Sequence, residues 1–390
     1  MVENYDIQLE MRKFVAPEFI FGIDSRFKAA SYCKKLGARK IFLATDSQIS
    51  KTFWFLDILA SLQTIGVEYT LFSAISPNPR DFEVMAGSEI YKQEKCNLIL
   101  AVGGGSVIDC AKGIGIVVTN FQHIRNFEGI DMLSSPIPPM VCVPSTAGAS
   151  SDVSQFAIIN NFENKYKMVL ISKALVPDVS ILDPIVLTTK DLYLTACSGM
   201  DVLSHAFEAY TSNAASEFND LHALEAIRLI DNNLVLNLKN PNNLQLRAKM
   251  MLASLYAGLA FSNASLGCVH SMSHSLGGFL DLSHGECNAI LLPHVVDFNF
   301  SAATDKYIKI AETLNLNPSG LNNNQIKQKL IDYLYNLKEA VNINTNLKIK
   351  GVSSDLIPTL ASNAINDPCN ATNPRPPKKK DLETIFTQAM

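Results

Sequence analysis

Asp201, His205, His270, His274 and His284 bring a carboxylate and four imidazoles together in a chain of 390 residues that has only seven histidines. Asp201 and His205 lie four residues apart in SGMDVLSHAFEAY, whose apolar spacing is helical, so both side chains leave one face toward one point. His270 and His274 repeat that spacing in CVHSMSHSLGGFLDLSHGE, and His284 stands next to Gly285, where the backbone is free to turn back. Any single histidine here is most simply a satisfied core or surface residue. An Asp and a His on one helix face, joined by further histidines at fixed spacing, form a ligand set. Three imidazoles and one carboxylate suit a borderline divalent ion such as Fe(II), Zn(II), Mn(II), Co(II) or Ni(II), and suit Mg or Ca poorly. Five candidates compete for four positions, and spacing does not choose among them.

The elements that must position this cluster change character along the chain. KIFLATD (40–46), VEYTLF (67–72), NLILAVGGG (97–105) and PPMVCVPST (138–146) read as buried strands. Helical patterns lie between them, notably PRDFEVMAGSEIYKQEKC and SVIDCAKGIGIVV, and this alternation predicts a parallel sheet with helices on both faces. FAIINN and YKMVLIS, joined by the polar FENK, form a hairpin-like pair. From about Thr188 the apolar spacing is helical. The expected fold is therefore an α/β Rossmann-like nucleotide-binding domain with a parallel sheet over 1–184, followed by an all-α metal-binding and catalytic domain over 185–390. A cleft between them is the natural place for an active site.

Composition excludes several classes. With 47% hydrophobic and 18% charged residues and a formal charge of -4, nothing points to nucleic acid or an anionic membrane as a partner. PRPPKKK near the C-terminus reads as a solvated connector before a last helix from Asp381. Eight cysteines without a CxxC pair read as reduced core thiols, and MVENYDIQLEMRKF lacks a basic segment followed by an apolar one, so a cytoplasmic location is expected. No internal repeat is present.

The strand LILAV runs into Gly103, Gly104, Gly105 and Ser106 and then a helix carrying Asp109 and Lys112. Glycines let a backbone approach a pyrophosphate, and a helix N-terminus offers free N–H groups and a positive dipole end. The pattern is not G-x-G-x-x-G, since Ile108 stands at the third glycine, and it lacks the ending of a phosphate-binding loop of the G-K-[ST] type. A tight strand-to-helix turn explains three glycines equally well. Asp46 closes the first predicted strand, where a carboxylate would accept ribose hydroxyls and repel a 2'-phosphate, favouring NAD over NADP; a plain helix N-cap is the alternative. Ser145, Thr146, Ala147, Gly148 and Ala149 follow the fourth strand with small side chains that could line a cofactor.

Together these segments resemble the iron-containing (group III) alcohol dehydrogenase family over nearly the whole chain. The resemblance rests on SPNP at 76–79, GGGSVIDCAK at 103–112, PSTAGASSDVS at 144–154, and the DP at 183–184 leading to GMDVLSHAFEAY. VHSMSHSLGG, SHGE and DPCNATNPRPP at 367–377 complete it. It implies Asp201, His205, His270 and His284 as metal ligands, with His274 moved to a role near the nicotinamide as a proton relay. Asp46, Asn78, Gly105, Ser106, Asp109, Thr146 and Lys167 match dinucleotide-contacting positions, with Ser145, Ala149 and Leu187 as weaker matches. Phe261 and Cys369 are expected on the substrate wall. The family's TTAGTGSE reads here STAGASSD, so Ala149 lacks a hydroxyl that could reach the cofactor.

The implied activity is reversible hydride transfer between a primary or short-chain alcohol or diol and NAD. Fe(II) is the first expectation for the metal, Zn(II) or another divalent transition metal the alternative, and a homodimer or larger homo-oligomer is implied. The other readings are a glycerol dehydrogenase-like or dehydroquinate synthase-like NAD and metal enzyme, and a non-catalytic protein that binds nucleotide and metal. A phosphorylated substrate is disfavoured because the metal-facing segments carry no Lys or Arg.

Overall fold

The computed structural model describes residues 13–390; residues 1–12, which hold most of the segment MVENYDIQLEMRKF on which the expected location rests, lie outside the described residues. Nine strands occur among them: β1 (Glu18–Phe21), β2 (Lys40–Ala44), β3 (Glu68–Phe72), β4 (Leu98–Gly103), β5 (Gly129–Ile130), β6 (Met140–Pro144), β7 (Phe156–Asn161), β8 (Tyr166–Ile171) and β9 (Val179–Leu182). Six form one parallel sheet in the order β1-β9-β6-β4-β2-β3. The side-chain period of two splits each central strand between two cores. Ile41, Leu43, Leu98, Leu100, Val141 and Val143 face one side, while Phe42, Ala44, Ile99, Ala101, Met140 and Cys142 face the other. Both faces are covered, which is why these strands read as unbroken apolar runs.

Helices α1 (Ala29–Lys35) and α2 (Phe53–Ile65) cover the first face, and α3 (Asp81–Gln93) and α4 (Gly105–Asn120) the second. Chain order reverses between β2 and β4. Ligands of open α/β sheets bind beyond the carboxyl ends of strands at such a reversal. The predicted hairpin is present as antiparallel β7 and β8, extended by β5 into a separate three-stranded sheet. Strands β1, β5 and β9 have no counterpart in the sequence reading. β1 is an edge strand with half-exposed side chains, and β9 is four residues long with Ser180 inside it.

After Leu182, Asp183 makes the junction. Its fully buried carboxylate accepts hydrogen bonds from the backbone N–H (3.2 Å) and Nη1 (2.9 Å) of Arg26 and from the N–H of Ile185 (3.0 Å). Removing one partner of such a pair costs about 3–5 kcal/mol.

No strand follows among the described residues. The remainder is α5 (Leu192–Thr211), α6 (Glu217–Lys239), α7 (Leu244–Ala264), α8 (Cys268–Leu280), α9 (His284–Asn299), α10 (Thr304–Thr313), α11 (Asn323–Ala340), α12 (Ile357–Ile365) and α13 (Lys379–Gln388). Helix α5 is buried along most of its length, wedged against α6, α7 and α9, and α8 packs on α9, α12 and β8. Helix α13 starts two residues before the predicted Asp381, with Asp381 accepting from the Lys378 N–H in a capping box. Among the described residues no single helix is long and apolar enough to cross a membrane.

Candidate active site

Helices α5, α8 and α9 meet at one point. Asp201 and His205 project from the middle of α5, His270 from the first turn of α8, and His284 opens α9. Asp201 Oδ1 lies 3.8 Å from His205 Nε2, 3.7 Å from His270 Nε2 and 3.8 Å from His284 Nε2. All four donor atoms fall within 4.8 Å of one another. A tetrahedral ion with metal–N and metal–O distances of about 2.0–2.2 Å needs donor separations of about 3.4 Å, so small side-chain adjustments would close this set on a metal. Asn288 Nδ2 also reaches the point, at 2.7 Å from Asp201 Oδ1, 3.2 Å from His270 Nε2 and 3.3 Å from His284 Nε2. One carboxylate and three imidazole nitrogens turned toward one place form a donor set that a divalent ion fits.

Electrostatics agree with this grouping. Burial raises the Asp201 carboxyl, but the three imidazoles turned toward it, His205, His270 and His284, outweigh burial and hold Asp201 well below the usual carboxylate range. Burial pushes His205 down to about 3, and drives His284 down as well, despite the opposing pull of Asp201. Those two imidazoles are thus neutral at ordinary pH, the form that can ligate a metal.

Gly285 acts differently from the sequence reading. It is not a turn but the second residue of α9, and a Cβ there would meet the Cys197 carbonyl oxygen at 2.5 Å. Its bareness lets α9 dock on α5, which brings His284 beside Asp201. His274 stays outside the set of four. Its Nδ1–H donates to Asp367 Oδ2 at 2.7 Å, and its ring stacks on His284 at a centroid distance of 5.3 Å. Because Nδ1 is committed to a carboxylate, Nε2 is left as the atom of His274 able to accept a proton.

A cavity of about 110 Å³ joins this cluster to the sheet half. On its helical side stand His205, His270, His274, His284, Phe261 and Leu266, and on its sheet side Asn78, Gly105, Ser106, Asp109, Ala149 and Lys167. Six predicted nucleotide positions therefore share one space with the cluster. Lys167 is the only Lys or Arg among the described residues lining it, and burial pushes its ammonium down. One cation does face the cavity, from β8 rather than from the histidine-bearing helices.

The other predicted positions lie around it. Gly103 pairs with Pro144 across β4 and β6, so the glycine turn and the Ser145–Ala149 loop run side by side, with the Ser145 N–H donating to the Gly103 carbonyl at 2.9 Å. Thr146 and Leu187 line a second, small pocket, and the buried Ser145 hydroxyl has no partner among the described residues. Asp46 stands past the end of β2, two residues beyond its last strand residue. Its Oδ1 accepts from the N–H groups of Gln48 (2.8 Å) and Ile49 (2.9 Å), the capping geometry foreseen as the alternative. Asn78 donates to Asp281 Oδ1 at 2.6 Å, a bridge from the SPNP loop to the C-terminus of α8. Ser106 Oγ donates to the Pro77 carbonyl, fastening that loop to the start of α4.

Lys112, on the helix after the glycine turn, donates to the carbonyls of Ser154 and Phe156 at 2.8 Å each, because its position on α4 faces the hairpin. One sequence reading is corrected here. Cys369 is not on the cavity wall. It is fully buried in a short 3-10 turn beside Asp367 and His274, whereas Phe261 does line the cavity and stacks on His205 at 4.3 Å. The spacing of the histidines gave no sign of Glu208, Asp367 or Asn288. Glu208 and Asn288 carry a periodic signal, seven residues after Asp201 and four after His284 on the same helices, but Asp367 carries none.

Two family models match the chain, "Iron-containing alcohol dehydrogenase" over residues 16–184 and "Fe-containing alcohol dehydrogenase family, C-terminal" over residues 195–390. The 1,3-propanediol dehydrogenase of Klebsiella pneumoniae is 39% identical over 377 residues, covering 95% of this chain and 96% of that protein. The NAD-dependent methanol dehydrogenase of Bacillus methanolicus is 34% identical over 377 residues, covering 97% and 99%. Among solved structures, a 1,3-propanediol oxidoreductase superposes with a TM-score of 0.94 at 39% identity, covering 98% of this chain and all of that one. From the glycine turn to the converging histidines, the chain belongs to the iron-containing alcohol dehydrogenase family.

Proposed function

We propose that this protein is a metal-dependent, NAD-linked dehydrogenase of short-chain primary alcohols or diols, working at the cavity between the sheet and helical halves. The observation that carries the reading is the convergence of Asp201, His205, His270 and His284 on one point, in the wall of a cavity whose opposite wall holds Gly105, Ser106 and Asp109. When bound, a divalent ion would supply a Lewis acid for the alcohol oxygen, and the nicotinamide would accept hydride from the carbinol carbon.

The rest is work for the side chains. Phe261 and Leu266 exclude water from the cavity and fit it to a small apolar substrate. His274 takes up the alcohol proton at Nε2, with Asp367 holding Nδ1–H and stabilising the imidazolium that results. The N-terminus of α4 and the Lys167 ammonium offer positive charge to the pyrophosphate. Asp46 at the end of β2 disfavours a 2'-phosphate and so favours NAD. The similarity to enzymes named for propanediol and methanol supports a small alcohol as substrate. Fe(II) is the metal we favour, a homo-oligomer the assembly, and 1–184 and 185–390 the domains.

The test is a panel of short alcohols, diols and hydroxy acids with NAD and with NADP, on protein reconstituted anaerobically with Fe(II) or Zn(II). The expected result is NADH formation with a primary alcohol or diol, absent without metal. No turnover with any alcohol, or turnover that survives metal removal, would overturn the reading.

A further inference from the structure

His270 differs from the other imidazoles of the cluster. Among the described residues Nδ1 of His205 and of His284 makes no hydrogen bond, whereas His270 Nδ1 lies 2.6 Å from Glu208 Oε2. Glu208 stands on α5 seven residues after Asp201, on the same face, and is 5% exposed. Its other oxygen accepts the Val269 N–H at 2.6 Å, one of the free donors in the first turn of α8. Both oxygens are thus engaged by consecutive residues of α8.

The surroundings are built to let this happen. Gly267, just before α8, faces Glu208 and Asn373, and a Cβ there would lie 2.9 Å from Glu208 Oε1 and 2.5 Å from Asn373 Oδ1. Asn373 in turn accepts the Cys268 N–H at 3.1 Å and exchanges hydrogen bonds with Asn299. Among the described residues no Lys or Arg pairs with Glu208, so a buried carboxylate stands with an imidazole as its only ionisable partner. An uncompensated buried charge is costly, and the cost is relieved when a cation lies on the far side of that imidazole.

We infer that Glu208 is a positioning residue for the metal: it fixes His270 as the Nδ1–H tautomer, so that the Nε2 lone pair is held toward Asp201 Oδ1. An ionised carboxylate only accepts hydrogen bonds, so a proton at this contact belongs to Nδ1, which leaves Nε2 as the His270 atom that would meet a metal. Asp201 at the point and Glu208 behind the His270 ring together carry two negative charges, which a divalent ion held by the cluster would balance. The inference rests on the metal-site reading of Asp201, His205, His270 and His284 given above.

The experiment compares wild type, Glu208→Gln, Asp367→Asn and His270→Ala as full-length, metal-stripped proteins. Zn(II) and Co(II) affinities are measured by chelator competition, and the ring nitrogens of 15N-labelled histidine by NMR. Gln is the size of Glu but has one acceptor for two donors, so one of the two contacts to α8 is lost. We expect Glu208→Gln to bind metal about 10–100-fold more weakly, the range for losing a carboxylate behind a ligating histidine, while Asp367→Asn binds as wild type does. We also expect His270 of the metal-stripped wild type to carry its proton at Nδ1.

Undiminished affinity in a folded Glu208→Gln would overturn the inference. So would an Nε2–H tautomer of His270 in the wild type, a result that needs no variant. If His270→Ala binds metal as wild type does, the metal-site reading itself fails and the inference falls with it, and that outcome is distinguishable from failure at Glu208 alone.

Discussion

Asp201, His205, His270 and His284 sit on helices of 20, 13 and 16 residues, whereas the positions facing them across the cavity are spread over the start of α4 (Gly105, Ser106, Asp109), the loops holding Asn78 and Ala149, and strand β8 (Lys167). The helical wall offers side-chain atoms whose direction is set by the 3.6-residue period and by burial on several sides. The sheet wall adds bare backbone at the glycine turn after β4 and the loop after β6, held together by the pairing of Gly103 with Pro144. A metal demands donors at fixed distances, which buried helices provide. A pyrophosphate demands many N–H groups and close approach, which bare turns provide.

The largest expected effect falls on the helical wall. His270→Ala should lose the metal and with it essentially all turnover, a loss exceeding the roughly 100-fold typical of a supporting residue. His274→Ala, one helical turn away, should keep one ion per chain and lower kcat by about 10²–10⁴-fold, as for removal of a general acid–base group. Metal analysis beside steady-state kinetics separates them. Equal metal loss in both variants would erase the distinction between ligand and relay.

A smaller effect tests the sheet wall. Burial holds Asp109 up at about 6, above 3.8 in the unfolded chain, against the opposing pull of Lys112. The folded protein therefore binds more protons than the unfolded chain between those pH values. The contribution is favourable below 3.8 and is lost as pH rises through 6. At about 1.36 kcal/mol per pKa unit the loss reaches about 3 kcal/mol. Urea unfolding of the metal-free protein should show wild-type stability declining over that window relative to Asp109→Asn. A parallel pH dependence in the two proteins would contradict the buried, raised carboxyl.

The smallest effect concerns the departure from the family pattern at 149–150. Ser150 takes the left-handed backbone (φ 53°) where the family has glycine. That conformation costs a non-glycine residue about 1–2 kcal/mol. Its hydroxyl donates to the Ser254 carbonyl at 2.7 Å and lies 3.0 Å from the Ser254 hydroxyl, bonds worth about 1 kcal/mol each. Ser150→Gly should therefore change stability by less than about 1 kcal/mol. A large destabilisation would show that the loop depends on the Ser150–Ser254 contact. A large stabilisation would show that the backbone strain dominates.

How much of this was readable in the sequence follows from the same contrast. The central strands announced themselves because burial on both faces leaves no polar alternation to confuse. Strand β9 did not, since Ser180 interrupts its apolar run for a reason visible only in three dimensions: its hydroxyl donates to Asp152 Oδ2 at 2.5 Å. Asp201, His205 and His270 were readable because a four-residue spacing on a helix is a statement about direction. Gly285 was misread as a turn because a bare residue looks the same whether it bends the chain or admits a neighbour. The role of Asp367 was not legible: it opens the DPCNATNPRPP motif, but it is 93 residues from His274, and only tertiary packing brings the two side chains together.

A second cluster sharpens what must be measured. His274, Asp367 and Cys369 also place donor atoms within 4.8 Å of one another, a set that competes for a metal through a thiolate. X-ray absorption at the metal edge of protein reconstituted with one equivalent of Zn(II) decides between them. Donors from Asp201, His205, His270 and His284 give a shell of nitrogen and oxygen alone at about 2.0–2.2 Å. A sulfur scatterer at about 2.3 Å would place the ion at Cys369 and contradict the site proposed for it.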